Sequence, residues 1–193
     1  MKTALNTLVM VCVSVFLSVT LMSCSTDISH YKNQNSKFDI KQYFNGDMIA
    51  WGMIQDYTNE VTRRFCVEID ASWQQEQGTL KEKFYFDNGE ISYRTWNLTR
   101  LENGAYTGSA EDVIGIANGQ ESGFAFQWEY QLAVPIEGST YYFDMDDWMY
   151  KLDEYRVFNK TAMSKFGVEV AEITLFFDKQ LSDKTCEASS PQL

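Results

Sequence analysis

From residue 48 to residue 178 apolar and polar side chains alternate in short runs, and turn-forming residues break the runs at a regular beat. Neighbours along an extended chain point to opposite faces, so a period of two marks strands with one dry face and one wet face. The pattern predicts nine strands, over 48–56, 61–73, 79–87, 90–101, 105–114, 122–134, 139–150, 155–163 and 168–178. Asn88-Gly89, Asn103-Gly104, Asn118-Gly119, Glu137-Gly138, Asp153-Glu154 and Phe166-Gly167 read as the turns, and Asn-Gly suits the positive φ of a tight hairpin. The chain has two prolines and shows no long amphipathic pattern. The reading is therefore an all-β fold, an antiparallel up-and-down barrel of about 8–10 strands closed so that no edge stays open. An open β-sandwich is the alternative, and it would call for longer crossovers.

Alternation also sorts the faces. In the second run Val61, Phe65, Val67, Ile69, Ala71 and Trp73 share a face with Arg63; in the third Leu80, Phe84 and Phe86 share one with Glu82. If Asn88-Gly89 and Asn103-Gly104 are two-residue turns, Glu82 lies opposite Thr95, Phe84 opposite Tyr93, and Thr95 opposite Asp112. Glu82, Thr95 and Asp112 then form one row, with Gly108 and Ala110 leaving space beside it. Phe124, Phe126, Trp128 and Tyr130 share a face expected to point inward. In the stretch YYFDMDDWMYKLDEYRVFNK, Tyr141 to Lys160, Asp147 falls with Phe143, Met145 and Met149 on the apolar face, whereas Asp144, Asp146, Trp148 and Tyr150 fall on the wetter one.

The ends change the picture. Lys2, the apolar run Leu8 to Leu21 and Leu21-Met22-Ser23-Cys24 have the layout of a secretory signal, with a run too short for the roughly 20 residues of a membrane span. LMSC resembles the bacterial lipobox, which makes residues 1–23 the signal and Cys24 the lipid-attachment site. Ser25 then directs the chain to the outer membrane, facing the periplasm. Residues 24–37 read as a polar tether, 38–180 as the barrel and 181–193 as a flexible tail. Without residues 1–23 the chain holds 15 basic and 27 acidic residues, a formal charge of −12, which repels nucleic acid. Cys66 and Cys186 remain as either a disulfide pair, permitted in an oxidising compartment, or two free thiols.

Candidate chemistry is sparse. His30, in the tether, is the sole histidine, so His-based nucleophile systems and zinc sites are excluded from the barrel. Phosphate-binding glycine loops are absent. An EF-hand starting at Asp144 fails, because Met149 stands where glycine is needed and Tyr155 where glutamate is needed. The triplets Asn97-Leu98-Thr99 and Asn159-Lys160-Thr161 read as chance glycosylation patterns. No metal and no cofactor is expected. Arg63, Glu82, Asp112 and Asp147 are left as interior charges, and because an unpaired buried charge costs several kcal/mol they either pair with one another or meet a ligand. Glu82 and Asp112 could also act as an acid and base pair, as glycosidases use; the leading expectation is that the chain is not an enzyme.

The order FYFDNG, RTWNL, YTG-x-AEDVIG-x-A-x-G, FQWEYQL, DDWMY and N-x5-KFGVEVAEITLFF resembles an uncharacterised family of proteobacterial lipoproteins known as a domain of unknown function, thought to be lipocalin-like within the calycin barrels. The resemblance spans roughly Phe38 to Lys179, with one departure at Asn159-Lys160, where the family pattern has Asn-Arg. It implies a small barrel with a cup and, from family members encoded near fatty-acid-modifying enzymes, a lipid ligand. Phe84, Tyr93, Phe126, Trp128 and Met149 are expected to line the cup, with Arg63 meeting a carboxylate head and Glu82, Asp112 and Asp147 orienting it. The rival expectation is a filled barrel that docks an envelope protein through an exposed aromatic patch around Trp148 and Tyr150. The protein partner is unknown in either case.

Overall fold

The computed structural model describes residues 26–181 and 185–188. The expected signal segment and Cys24 lie outside the described residues. Ten strands follow one another: β1 (Gly46–Asp56), β2 (Val61–Gln74), β3 (Gln77–Phe86), β4 (Ile91–Arg100), β5 (Ala105–Ser109), β6 (Val113–Ser122), β7 (Ala125–Ile136), β8 (Ser139–Lys151), β9 (Arg156–Lys165) and β10 (Val168–Asp178). Each pairs antiparallel with its chain neighbours, and β1 closes on β10, so the sheet is a closed up-and-down barrel. Closure satisfies the backbone of every strand without leaving an aggregation-prone edge.

The count is ten rather than nine because the run 105–114 breaks at Ala110–Asp112 into β5 and β6. Asn118-Gly119 is not a turn; it lies inside β6, beside a register shift against β7 between Ile114 and Asn118. Gly119 serves packing instead. A Cβ there would stand 2.2 Å from the Trp128 ring and 2.4 Å from that of Phe126. The room expected beside Gly108 is likewise taken, since a Cβ on Gly108 would meet Trp128 and Leu98 at 2.7 Å.

Two turns differ from expectation by one residue. Asp87, Asn88 and Gly89 form a three-residue loop, in which the Phe86 N–H donates to the Glu90 carbonyl and Gly89 has φ +83°. Such a loop moves the pairing by one step, and a one-step slip exchanges the faces of a strand. Glu82 therefore faces Arg94 rather than Thr95, and Phe84 faces Ser92 rather than Tyr93. Between β4 and β5 the connection is again longer, Glu102–Gly104, and sets Leu98 opposite Gly108.

One end of the barrel is plugged. Phe38, Ile40, Tyr43 and Phe44 are buried there, around the short helix α1 (Ile40–Tyr43), whose N-cap Asp39 accepts from the Gln42 N–H. Lys179 Nζ donates to the Tyr43 and Asn45 carbonyls at 2.7 and 2.8 Å. Trp73 Nε1 donates to the Phe44 carbonyl at 2.7 Å. Glu121 accepts from the Ile40 N–H and the Tyr106 hydroxyl at 2.7 and 2.8 Å, so the first turn of α1 is tied to the wall. The opposite end, bordered by the β1–β2, β3–β4, β5–β6, β7–β8 and β9–β10 loops, carries no such plug among the described residues.

Both flanking segments are folded against the wall where described. Part of the expected tether, Ile28–Tyr31, makes a 3-10 turn, and Tyr31 packs edge-on against Phe124 at 5.0 Å, Tyr150 at 5.9 Å and Trp148 at 6.1 Å. The expected loose tail is fastened at Cys186, which is bonded to Cys66 with a Cα separation of 5.6 Å. The Cys186 N–H also donates to Glu68 at 2.8 Å.

Candidate functional site

Inside the barrel lies a cavity of about 370 Å³, within the range of small-molecule pockets. Its wall is mostly apolar. Phe84 and Phe86 come from β3, Trp96 and Leu98 from β4, Phe126, Trp128 and Leu132 from β7, Met149 from β8, and Ile173 and Leu175 from β10. These rings and branched chains are there because each strand alternates and its inward positions are aromatic or aliphatic. Ile40 of α1 and Phe44, the residue that ends it, supply the floor.

Set into that wall is a polar cluster. Arg94 Nε and Nη2 both donate to Asp112 Oδ2, at 3.0 and 2.6 Å. Asp112 comes from the β5–β6 connection, whose carbonyl accepts from the Ala133 N–H and so holds the acid over the lumen. Asp147 and Asn159 are buried, with 8% and 2% exposure. Asn159 Nδ2 donates to Asp147 Oδ1 and, at 3.1 Å, to the Trp148 carbonyl. Thr161 Oγ1 donates to Asn159 Oδ1 at 3.4 Å. Glu82 Oε2 and Asp112 Oδ1 are buried and meet no hydrogen-bond partner among the described residues.

Burial raises the Glu82 carboxyl to about 7, with Arg94 pulling it down and Asp112 adding to the rise. Burial likewise raises Asp147 to about 7, against the Asn159 and Thr161 hydrogen bonds and with the help of Glu82 and Asp146. Tyr130 is pushed up by burial and by Asp147, which keeps its hydroxyl protonated. Arg94 is shifted up although burial works against its charge, because Glu82, Tyr130 and Asp112 surround it. Burial thus favours the protonated form of the Glu82 and Asp147 carboxyls more than solvent would.

Of the residues singled out in the sequence, Arg63, Glu82, Phe84, Asp112, Phe126, Trp128, Asp147 and Met149 all border the cavity. Tyr93 does not: it is 73% exposed on the outer face, a direct result of the three-residue turn. Thr95 moves outward with it, opposite Lys81. Arg63 sits toward the open end, donating to Glu90 Oε2 at 2.7 Å and lying over the Phe86 ring at 3.7 Å. Arg94 was missed, since the expected register turned it outward. Asn159 and Thr161 were also missed as functional. Their spacing of two in a strand was the available signal, because it places both on one face with Asp147 opposite Thr161. Among the described residues no three acidic, histidine or cysteine side chains converge as metal ligands do.

The outer aromatic patch expected of an interaction module is covered: Trp148 is 9% exposed, beneath Tyr31. An open cavity and a covered patch are the opposite of what that alternative requires.

A one-mouthed, closed antiparallel barrel with an apolar lumen defines the lipocalin-like class of β-barrels. Within it, the chain belongs to the family described as a protein of unknown function (DUF3833), whose pattern matches residues 18–179. No curated protein matches the chain. Among solved structures, the chain is similar to an S-type phycobiliprotein lyase from Guillardia theta, at 6% identity and a TM-score of 0.49, over 72% of this chain and 90% of that one. The expectation that the chain is not an enzyme is corrected here. That neighbour's description calls it a lyase; a fold does not fix a function, so the barrel by itself excludes no chemistry.

Proposed function

We propose that the barrel is a binding cup for a small apolar or amphiphilic molecule, with fatty acids and modified lipids within that class. The observation that carries this is the cavity of about 370 Å³, closed at one end by α1 and walled by aromatic and aliphatic side chains. Burying an apolar chain against such a wall gains roughly 25 cal/mol per Å² of surface removed from water. We further infer from the LMSC motif that a lipid on Cys24 holds the chain at the outer membrane, facing the periplasm. Native mass spectrometry of the full chain, released gently from its host membrane, should show one added mass that organic extraction identifies as an apolar molecule. A clean ligand-free mass, together with no uptake of added amphiphiles, would overturn the cup. For the anchor, Cys24→Ala should abolish the acyl mass increment and release the protein from the membrane fraction.

A further inference from the structure

The polar cluster constrains the ligand's head, an inference that rests on the cup reading above. Three carboxylates and one guanidinium share the lumen wall with Arg63 near the open end. Both cations are already committed, Arg94 to Asp112 Oδ2 at 2.6 Å and Arg63 to Glu90 at 2.7 Å. Glu82 and Asp147 have no cationic nitrogen within 4.0 Å among the described residues. The two buried oxygens without a partner, Glu82 Oε2 and Asp112 Oδ1, are both acceptors.

An anionic head would therefore find no free cation and an excess of carboxylate, and it would have to break an existing ion pair to gain one. A donor head meets the opposite situation, since its N–H or O–H groups fill acceptors that no described protein donor reaches. We propose that the cup takes an apolar molecule whose polar end is a hydrogen-bond donor, a protonated amine above all, seated against Glu82, Asp112 and Asp147.

The wall provides for the rest of such a molecule. Phe84 and Phe86 stack at 6.1 Å, and Trp96 meets Trp128 edge-on at 5.6 Å and Tyr130 at 5.4 Å. These are faces suited to methylene chains or flat apolar bodies, and their negative ring surfaces also favour a nearby ammonium. The Asn159 and Thr161 hydrogen bonds hold Asp147 in place before the ligand arrives, so little ordering cost is left to binding.

The test uses the full chain in a neutral detergent, incubated with an equimolar mixture of dodecylamine, dodecanol and dodecanoate and read by native mass spectrometry. The expected result is an amine adduct exceeding the carboxylate adduct at least about ten-fold, with the alcohol between. Glu82→Gln, which keeps the shape and removes the charge, should cut the amine preference several-fold. Tyr93→Ala, on the outer wall, should leave it unchanged. Equal adducts, or a preference for dodecanoate, would overturn the head-group assignment while leaving the cup intact. No adduct of any of the three would sink both.

Discussion

Glu82→Gln isolates the cost of an ionised carboxylate in the lumen. Folding raises this group from its ordinary 4.5 to about 7, so the native state binds the proton more tightly than the unfolded chain does. Its contribution to stability is intact below the ordinary value and is lost as pH rises through 7. Integrated between pH 5 and pH 8, that loss is about 2.5 kcal/mol for the wild type and absent in the variant. The carboxyl faces a cavity open to solvent at one end, so screening reduces the figure to about 1.5 kcal/mol. With a urea slope of about 2 kcal/mol per M, the gap between variant and wild-type midpoints should widen by about 0.7 M from pH 5 to pH 8, the variant being the more stable at pH 8. Circular dichroism in a urea series at the two pH values reads this directly. A gap of equal size at both, or a variant weaker than wild type at pH 8, would refute the account of Glu82 as a buried carboxyl without an ion-pair partner.

Arg94→Met should destabilise by about 1–3 kcal/mol because it removes two charge-assisted hydrogen bonds from the partly exposed Asp112 carboxylate, and the double variant with Asp112→Leu should recover most of the loss in the same urea assay. Gly119→Ala drives a methyl into Trp128 and Phe126 and should cost about 1–3 kcal/mol, visible as a lower melting temperature. Replacing Cys66 and Cys186 together by Ala opens a link across 120 residues and should cost up to about 5 kcal/mol by loop entropy, measured against the oxidised parent. Tyr93→Ala, on the exposed face, should stay within about 0.5 kcal/mol of wild type.

The closed barrel was legible in the sequence because alternation and turn residues are local signals, repeated on strand after strand. Phe166-Gly167 and Glu137-Gly138 read correctly, both residues of each pair having positive φ. Turn length was not legible: Asp87-Asn88-Gly89 carries the same Asn-Gly pair whether the loop has two residues or three, and that single residue decided whether Arg94 or Thr95 faces the lumen. Asn118-Gly119 misled for a different reason. Its glycine answers to the bulk of Trp128 on the next strand, a long-range demand that no local pattern reveals. Glu82 and Asp147 were placed inside by parity alone, whereas the partners that define their chemistry, Arg94 and Asn159, depended on cross-strand register.

The plug formed by α1 makes the lumen a blind alley rather than a conduit. Whatever occupies it has to depart by the route it arrived, so loading and discharge compete for a single doorway and cannot overlap in time.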